Sequence, residues 1–238
     1  MSNFVDLHHH LIYGVDDGPQ SMEEMQQMIL RAAEEGVTDI VCTSHATPGL
    51  ELFPQERYDA HLAKARAYID AEGLDLRVHP GCEILYTDAS ARLVREGRIP
   101  TLAKGDAVLV EFSPDASFQR LMDAAKSFGM AGYDVIFAHA ERYAALRSLK
   151  NVRKLRDEFG VYIQINANTV INKRGFFADR WLRQMLANGY VDCVATDAHN
   201  LSSRSCKMRK CHEVLSEKYG EDLADELCGG FQRRLLEI

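Results

Sequence analysis

Short apolar segments alternate with longer amphipathic segments along most of this chain. The apolar segments are bounded by turn residues, and they predict strands at residues 4–7, 39–43, 76–84, 107–112, 134–138, 161–166 and 192–195. Strands that alternate with helices over short connections are typical of a parallel sheet covered by helices. The pattern therefore predicts an α/β protein.

The segments between the strands carry the spacing of helices with one apolar face. They predict helices at residues 56–71, 117–128, 151–159, 178–187, 203–218 and 222–236. An earlier helix begins at Ser21, which forms a capping-box pattern with Glu24, and it ends at Gly36. No linker, repeat or low-complexity tract interrupts the pattern, so residues 1–238 are interpreted as a single domain.

Histidine, aspartate and glutamate side chains recur close to the points where the predicted strands end. They are His8, His10, Asp17, His45, Glu83, Glu111, His139, Asp197 and His199. A closed barrel brings the carboxyl ends of all its strands to one mouth, whereas an open sheet distributes them along an edge. The sequence therefore favours a barrel over an open sheet.

Local spacing supports a metal site at that mouth. His8 and His10 are two residues apart in an extended segment, so both face one side while His9 faces the other. Glu111 lies in an apolar strand, where a lone carboxylate is costly unless it is paired or coordinated. Each residue alone has an ordinary explanation as a cap, a turn or a satisfied core group. Their recurrence at strand ends favours metal binding.

The ligand types indicate which metal ions the site could bind and which reaction they could support. Imidazole and carboxylate ligands without thiolates suit manganese, iron, zinc or magnesium, and this many ligands exceed what one ion needs. Two or three clustered ions can activate water and hold a phosphoryl group. Arg142 and Arg204 follow His139 and His199 closely, where each guanidinium could hold phosphate oxygens.

Composition excludes several classes of protein. The chain has 238 residues, 26% of them charged, and a formal charge of −7. Duplex nucleic acid is therefore not an expected partner, because phosphate-backbone binding needs a basic face. No signal peptide and no apolar run long enough to span a bilayer is visible. The six cysteines form no compact framework and are expected to be reduced and buried in a cytoplasmic protein.

The motifs that contain these residues resemble one known family in sequence and in order. DLHHHLIYGVDDGPQS, TSHATPG, GCEILYT, VLVEFS, FAHAERY and ATDAHNLSSR run from Asp6 to Arg204. They resemble the PHP (polymerase and histidinol phosphatase) superfamily. Within it they resemble the bacterial manganese-dependent protein-tyrosine phosphatases of capsule and exopolysaccharide biosynthesis, the CpsB/YwqE type.

The resemblance implies a PHP fold, which is a distorted, seven-stranded (β/α) barrel of TIM-like type. It also implies three divalent metal ions, with Mn²⁺ expected ahead of iron, zinc or magnesium, and phosphate contacts from Arg142 and Arg204. It assigns the first ion to His8, His10, Glu83 and Asp197. It assigns the second to Glu83, Glu111 and His139, with Glu83 bridging, and the third to Asp17, His45 and His199. Where some relatives carry His or Arg directly after the position of His45, this chain has Ala46 and Thr47.

The resemblance also implies the substrate, a phosphotyrosine protein such as the tail of a bacterial tyrosine kinase. It is compatible with a homo-oligomer and with no membrane insertion. Three alternatives stay open: a PHP phosphatase of a small metabolite such as histidinol phosphate, an amidohydrolase with a similar barrel, and a non-catalytic metal-binding module. Cys228 and Arg234 have the spacing of a cysteine-based phosphatase, but they lie in a predicted helix with no strand before them.

Overall fold

The computed structural model describes residues 3–238, and its centre is a ring of parallel strands. The strands are β1 (Phe4–His9), β2 (Val37–Ala46), β3 (Arg77–Leu85), β4 (Ala107–Glu111), β5 (Asp134–Phe137), β6 (Tyr162–Asn166) and β7 (Cys193–Ala195). They pair in sequence order from β1 to β7, and every pair is parallel. Each predicted strand is confirmed to within a few residues.

The last strand returns to the first and nearly closes the ring. The backbone N–H of Asp197 donates to His8 O at 2.8 Å, and the N–H of His10 donates to Ala198 O at 2.9 Å. These bonds lie after β7 and at the end of β1, which is the carboxyl end of the barrel. The predicted distorted (β/α) barrel of seven strands is confirmed.

Helices cover the outside of the strands. They are α1 (Met22–Glu34), α2 (Gln55–Ala71), α3 (Ser90–Arg95), α4 (Phe118–Met130), α5 (Leu149–Phe159), α6 (Ala167–Ile171), α7 (Phe176–Ala187), α8 (Met208–Tyr219), α9 (Glu221–Asp225) and α10 (Phe231–Leu236). Ser21 caps α1 by accepting from the N–H of Glu24 at 3.2 Å, as predicted. The short helices α3 and α6 are not predicted by the sequence pattern.

Two predicted helices differ from the structure. The helix predicted at 203–218 begins only at Met208, because the Asn200 side chain accepts from the N–H groups of Ser202 and Arg204 and holds a turn. The helix predicted at 222–236 is divided by a π-helical turn, Glu226–Gly230. The first difference matters for function, because it leaves Arg204 on a loop at the barrel mouth.

The hydrophobic core has two layers. A small cluster fills the barrel interior, and a larger one lies between the strands and the helices. Gly81 shows how tight the interior is: a Cβ there would meet Val41 Cγ1 at 2.6 Å. Contacts closer than ordinary van der Waals distance destabilise a packed core. A filled interior makes the barrel a rigid support for side chains at its mouth.

All six cysteines carry free thiols and are buried, as predicted. Within residues 3–238, no helix combines the length and the apolar character needed to cross a membrane.

Candidate metal centre

The nine predicted ligand residues meet at the carboxyl end of the barrel. Three overlapping groups of them offer ligand atoms that lie within 4.8 Å of one another. The groups are His8, His10, Glu83 and Asp197; His45, Glu83 and Glu111; and His10, Asp17, His45 and His199. His139 lies beside the second group rather than in it.

The first group is buried and contains the four residues that the resemblance assigns to one ion. His8 Nε2 lies 3.1 Å from Glu83 Oε2 and 3.4 Å from Asp197 Oδ1. His10 Nε2 lies 3.2 Å from the same Glu83 oxygen and 3.7 Å from the same Asp197 oxygen. Two imidazoles and two carboxylates therefore face a common point, as divalent metal ligands do.

The second group differs from the predicted set in one member. His45 Nδ1 lies 3.3 Å from Glu83 Oε2 and 3.1 Å from Glu111 Oε1. His139 Nε2 contacts the other oxygen of Glu83 at 2.7 Å and lies 3.7 Å from Glu111 Oε2. Glu83 Oε2 therefore faces His8, His10 and His45, whereas Glu83 Oε1 faces His139. The structure groups His45 with the two glutamates, and His139, which the resemblance assigns here, contacts the other oxygen of each.

The third group contains the predicted residues and one more. Asp17 Oδ1 lies 3.4 Å from His45 Nε2 and 3.2 Å from His199 Nε2. His10 joins them, and its ring stacks on that of His199 with 3.7 Å between centroids. Asp17 is 62% exposed, so this group lies at the outer edge of the centre.

The nitrogen and carboxylate atoms of these groups are arranged to bind cations rather than to satisfy one another. The Nε2 atoms of His8 and His10 lie only 3.2 Å apart. The buried Nε2 of His199 lies 3.2 Å from Asp17 Oδ1 but without the geometry of a hydrogen bond. A buried polar atom without a partner is costly, and native structures rarely leave one. Bound divalent ions would satisfy these nitrogens and neutralise the converging carboxylates. The residues present therefore fit a metal centre.

The pKa values of the histidines are shifted because the imidazoles and carboxylates lie so close together. Burial alone would lower the pKa of His8, but the carboxylates of Glu83 and Asp197 raise it to about 9. For His45, Glu111 and Glu83 likewise outweigh burial and raise the pKa to about 9. Burial and neighbouring His10 lower the pKa of His199 to about 4. Metal ions bind neutral imidazole, so metal binding would release protons from His8 and His45.

Three residues that the sequence pattern does not predict as part of the site contact the predicted ligand residues. His8 Nδ1 lies 3.2 Å from Gln164 Oε1, and His10 Nδ1 lies 2.8 Å from Asp16 Oδ2. Asn166 Nδ2 donates to Asp197 Oδ2 at 2.8 Å. Such outer partners fix the orientation of metal ligands. The only signal in the sequence was polar residues in the otherwise apolar strand β6 and the second acid beside Asp17.

Two of the predicted ligands have a strained backbone. His139 has φ of 32° and Asp197 has φ of 53°, both in the left-handed region. Non-glycine residues in this region are uncommon and cluster at functional sites.

The two predicted arginines flank the centre and share one carboxylate. Arg142 Nη2 donates to Asp197 Oδ2 at 2.5 Å, and Arg204 Nη2 donates to Asp197 Oδ1 at 2.8 Å. Their side chains are 41% and 35% exposed. Each guanidinium has further N–H donors, and the forked geometry suits phosphate oxygens.

The other histidines lie outside the centre's ligand groups, as predicted. His9 is buried against the barrel, and burial with neighbouring His10 lowers its pKa to about 3. His61 stacks on Tyr13, while His79 and His212 pair with Asp39 and Asp225.

The cysteine-based alternative finds no support in the structure. Cys228 is buried in the π-helical turn, and Arg234 pairs with Glu226 instead of facing the thiol. No strand leads into this segment within the described chain.

Comparison with known proteins identifies the family. The model of the family described as capsular polysaccharide synthesis, CpsB/CapC, matches residues 4–237. The chain belongs to the CpsB/CapC family. It is 34% identical to the tyrosine-protein phosphatase CpsB of Streptococcus pneumoniae over 98% of each chain. It is 29% identical to a tyrosine-protein phosphatase CpsB of Streptococcus agalactiae over 94% of each.

A solved structure of the family shares the fold. It is one of the crystal structures of YwqE from Bacillus subtilis and CpsB from Streptococcus pneumoniae, which are described as unique metal-dependent tyrosine phosphatases. The TM-score is 0.87 at 22% identity, and the match covers 97% of this chain and 94% of the other. The CpsB/CapC barrel is therefore present here over nearly its full length.

Proposed function

We propose that this CpsB/CapC protein is a metal-dependent protein-tyrosine phosphatase, which hydrolyses phosphotyrosine in a protein to tyrosine and phosphate. The observation that carries the proposal is the meeting of nine imidazole and carboxylate side chains with two partly exposed arginines at one barrel mouth. Relatives at 34% and 29% identity are named tyrosine-protein phosphatases, which supports the substrate class.

We further propose three divalent ions, with Mn²⁺ as the native metal and iron, zinc or magnesium as alternatives. His8, His10, Glu83 and Asp197 would hold one ion, and Asp17, His45 and His199 another. Glu83 and Glu111, together with His139 or His45, would hold the remaining one. When bound, such ions lower the pKa of water and stabilise charge on phosphoryl oxygens.

The arginines are proposed to bind the phosphoryl group. Arg142 and Arg204 donate to different oxygens of Asp197, so this carboxylate orients both guanidiniums. Preorganised donors of this kind stabilise the charge of a transition state without reorganising. The phenolate leaving group has a pKa of about 10, which lowers the demand for a strong general acid.

The mouth of the centre is open enough for a residue on a protein chain. His45 is 36% exposed and Asp17 is 62% exposed, so the third ligand group faces solvent. A phosphatase for a free metabolite is expected to enclose its ligand, since small-molecule sites bury most of the ligand surface. This observation favours phosphotyrosine over histidinol phosphate.

The physiological substrate is proposed to be the tail of a bacterial tyrosine kinase of capsule or exopolysaccharide synthesis. The description of the family as capsular polysaccharide synthesis supports this assignment. Six free, buried cysteines suit a reducing compartment and support a cytoplasmic location.

The proposal is tested by turnover of three substrates with protein purified without chelator. The substrates are a phosphotyrosine peptide, the same peptide with phosphoserine, and histidinol phosphate. We expect kcat/KM to be highest for phosphotyrosine. A preference for histidinol phosphate would assign the enzyme to small-metabolite hydrolysis instead.

A further inference from the structure

A second concave surface adjoins the metal centre through Arg142. It is a cavity of about 420 Å³ whose lining includes Glu141, Arg142, Arg147, Thr169, Arg174 and Trp181. Arg142 therefore contacts Asp197 on one side and borders this cavity on the other. A group bound in the cavity would lie next to a phosphoryl group held by Arg142.

Two arginines in this cavity are held by neutral partners. Arg147 Nη2 donates to the backbone O of Glu141 at 2.6 Å, and its guanidinium lies 5.2 Å from the ring centroid of Trp181. Arg174 Nη1 donates to Thr169 Oγ1 at 2.7 Å. Across residues 3–238, neither guanidinium has a carboxylate within ion-pair distance, in contrast to Arg142 and Arg204. Two accessible positive charges thus remain uncompensated.

The two carboxylates in the lining accept hydrogen bonds from groups other than the guanidiniums. Glu141 is buried, and its Oε1 accepts from Thr169 Oγ1 at 2.8 Å and from the N–H of Asn166 at 3.1 Å. Its Oε2 is buried and makes no hydrogen bond. Asp179 Oδ1 accepts from the backbone N–H of Arg174 at 2.9 Å. These bonds fix the loop that carries Arg174 without neutralising its guanidinium.

The same hydrogen bonds connect the cavity to the metal centre. Asn166 donates through its backbone to Glu141 and through its side chain to Asp197. Beyond Arg174, the rim carries Phe176 and Phe177, which are 69% and 82% exposed. Exposed aromatic rings beside arginines suit an extended polypeptide with anionic groups, because they add apolar contact to charge pairing.

We propose that this arginine cavity, defined by Arg142, Arg147 and Arg174, is a specificity subsite for an anionic side chain of the substrate polypeptide near its phosphotyrosine. The anionic group is a carboxylate or a second phosphoryl group. This inference rests on the proposed function and deepens it by naming a substrate feature and the residues that select it. Arginine is suited to both anions through paired N–H donors.

The test compares three phosphotyrosine peptides that differ only in the residues flanking the phosphotyrosine. The flanks are glutamates, a second phosphotyrosine, or glutamines. For the metal-loaded wild-type enzyme, we expect kcat/KM for either anionic peptide to exceed that for the glutamine peptide by about tenfold, as one charge-assisted hydrogen bond allows. Preference for only one anionic peptide would identify the natural flanking group.

Arg174→Gln and the double variant R147Q/R174Q should reduce this preference to about twofold or less, with the loss mainly in KM. The matched control is Arg183→Gln on α7, because Arg183 is exposed and lies outside the cavity lining. It should keep the wild-type preference. Equal loss on all three peptides in Arg174→Gln, or no loss on any, would overturn the subsite.

Peptide binding by fluorescence anisotropy separates this inference from the proposed function. It uses the same peptides without the target phosphate, labelled with a fluorophore. If wild-type protein fails to hydrolyse phosphotyrosine yet binds the anionic peptides in an Arg174-dependent way, the subsite stands and the phosphatase proposal fails. If wild-type protein hydrolyses all three phosphotyrosine peptides with the same kcat/KM, the phosphatase proposal stands and the subsite fails.

Discussion

The two ends of the barrel use the same residue types in different ways. At the amino end, one buried carboxylate, Asp39, accepts from Arg77 at 2.8 Å and from Thr38 at 3.1 Å, and His79 lies 2.9 Å away. At the carboxyl end, histidines and carboxylates converge in three overlapping groups, and two imidazole nitrogens face each other. One end is balanced by its own side chains, whereas the other is suited to added cations.

The difference separates structural polar clusters from functional ones. A buried ion pair with matched donors needs nothing further, although it contributes little net stability. A cluster that leaves donors facing donors persists only because the surrounding fold holds it or because a ligand completes it. The barrel therefore places its strain at the mouth, where the nine predicted ligand residues and the two arginines lie.

The difference between the two ends is tested most strongly by removing one carboxylate from each end. Asp197→Asn should lower phosphotyrosine turnover by at least about 100-fold and reduce metal content, since even outer partners of metal ligands cost that much. Asparagine tolerates the left-handed backbone that Asp197 adopts, so the fold should persist. Metal analysis and steady-state kinetics measure both effects.

The matched substitution at the other end is Asp39→Asn. It should lower the free energy of unfolding by about 1–3 kcal/mol, because the buried carboxylate loses its charge and with it the charge-assisted contacts to Arg77 and His79. Turnover per folded molecule should stay at the wild-type level. Equal loss of turnover in both variants would mean that the two ends do not differ as described.

A second substitution separates the ligands from the arginines at the mouth. Arg142→Ala should lower kcat by about 100-fold, as the loss of one preorganised donor does. Metal content should not change, because Arg142 contacts Asp197 but lies outside the ligand groups. Arg153→Ala, an exposed arginine paired with Asp157 on α5, is the control. Full activity of Arg142→Ala would remove its proposed role.

The pH dependence of metal-free protein gives a smaller effect. The pKa of His8 and of His45 is raised to about 9 in the folded chain from 6.5, so their contribution to stability is full below pH 6.5 and is lost as pH rises towards 9. The pKa of His199 is lowered to about 4, so its contribution is full above pH 6.5 and is lost as pH falls. The site therefore favours folding most strongly near pH 6.5.

Urea unfolding between pH 5 and pH 9 measures this dependence with and without metal. Metal-loaded protein should gain stability as pH rises through 7 and above, because ions compete with protons for the imidazoles. Chelated protein that becomes more stable between pH 7 and pH 9 would contradict the assigned pKa shifts.

The sequence predicted most of the fold because its signals are local. Apolar strands and amphipathic helices follow from side-chain periodicity, and the ligands follow from their position after strands. Two predicted helices differ from the structure although their side-chain periodicity is helical. One begins later because the Asn200 side chain holds a turn, and the other is divided by the π-helical turn Glu226–Gly230. Local pattern does not encode these interruptions.

The site was predicted less completely because its details depend on packing between distant strands. Both His45 and His139 contact Glu83 and Glu111. Which of the two histidines would share a metal ion with these glutamates depends on how β2, β3, β4 and β5 face one another. Gln164 and Asn166 gain their roles only through contacts with His8 and Asp197. The arginine cavity combines residues from the segment after β5, from α6 and α7 and from the loop between them, and no motif in the sequence indicates it.

The most direct test of the account is metal content and phosphotyrosine turnover measured on one preparation. The protein is purified without chelator, stripped with a chelator, and reloaded with Mn²⁺, Fe²⁺, Zn²⁺ or Mg²⁺ in turn. We expect the stripped protein to be inactive and reloading to restore turnover, with Mn²⁺ the most effective. Full turnover by protein that contains no metal would contradict the central claim.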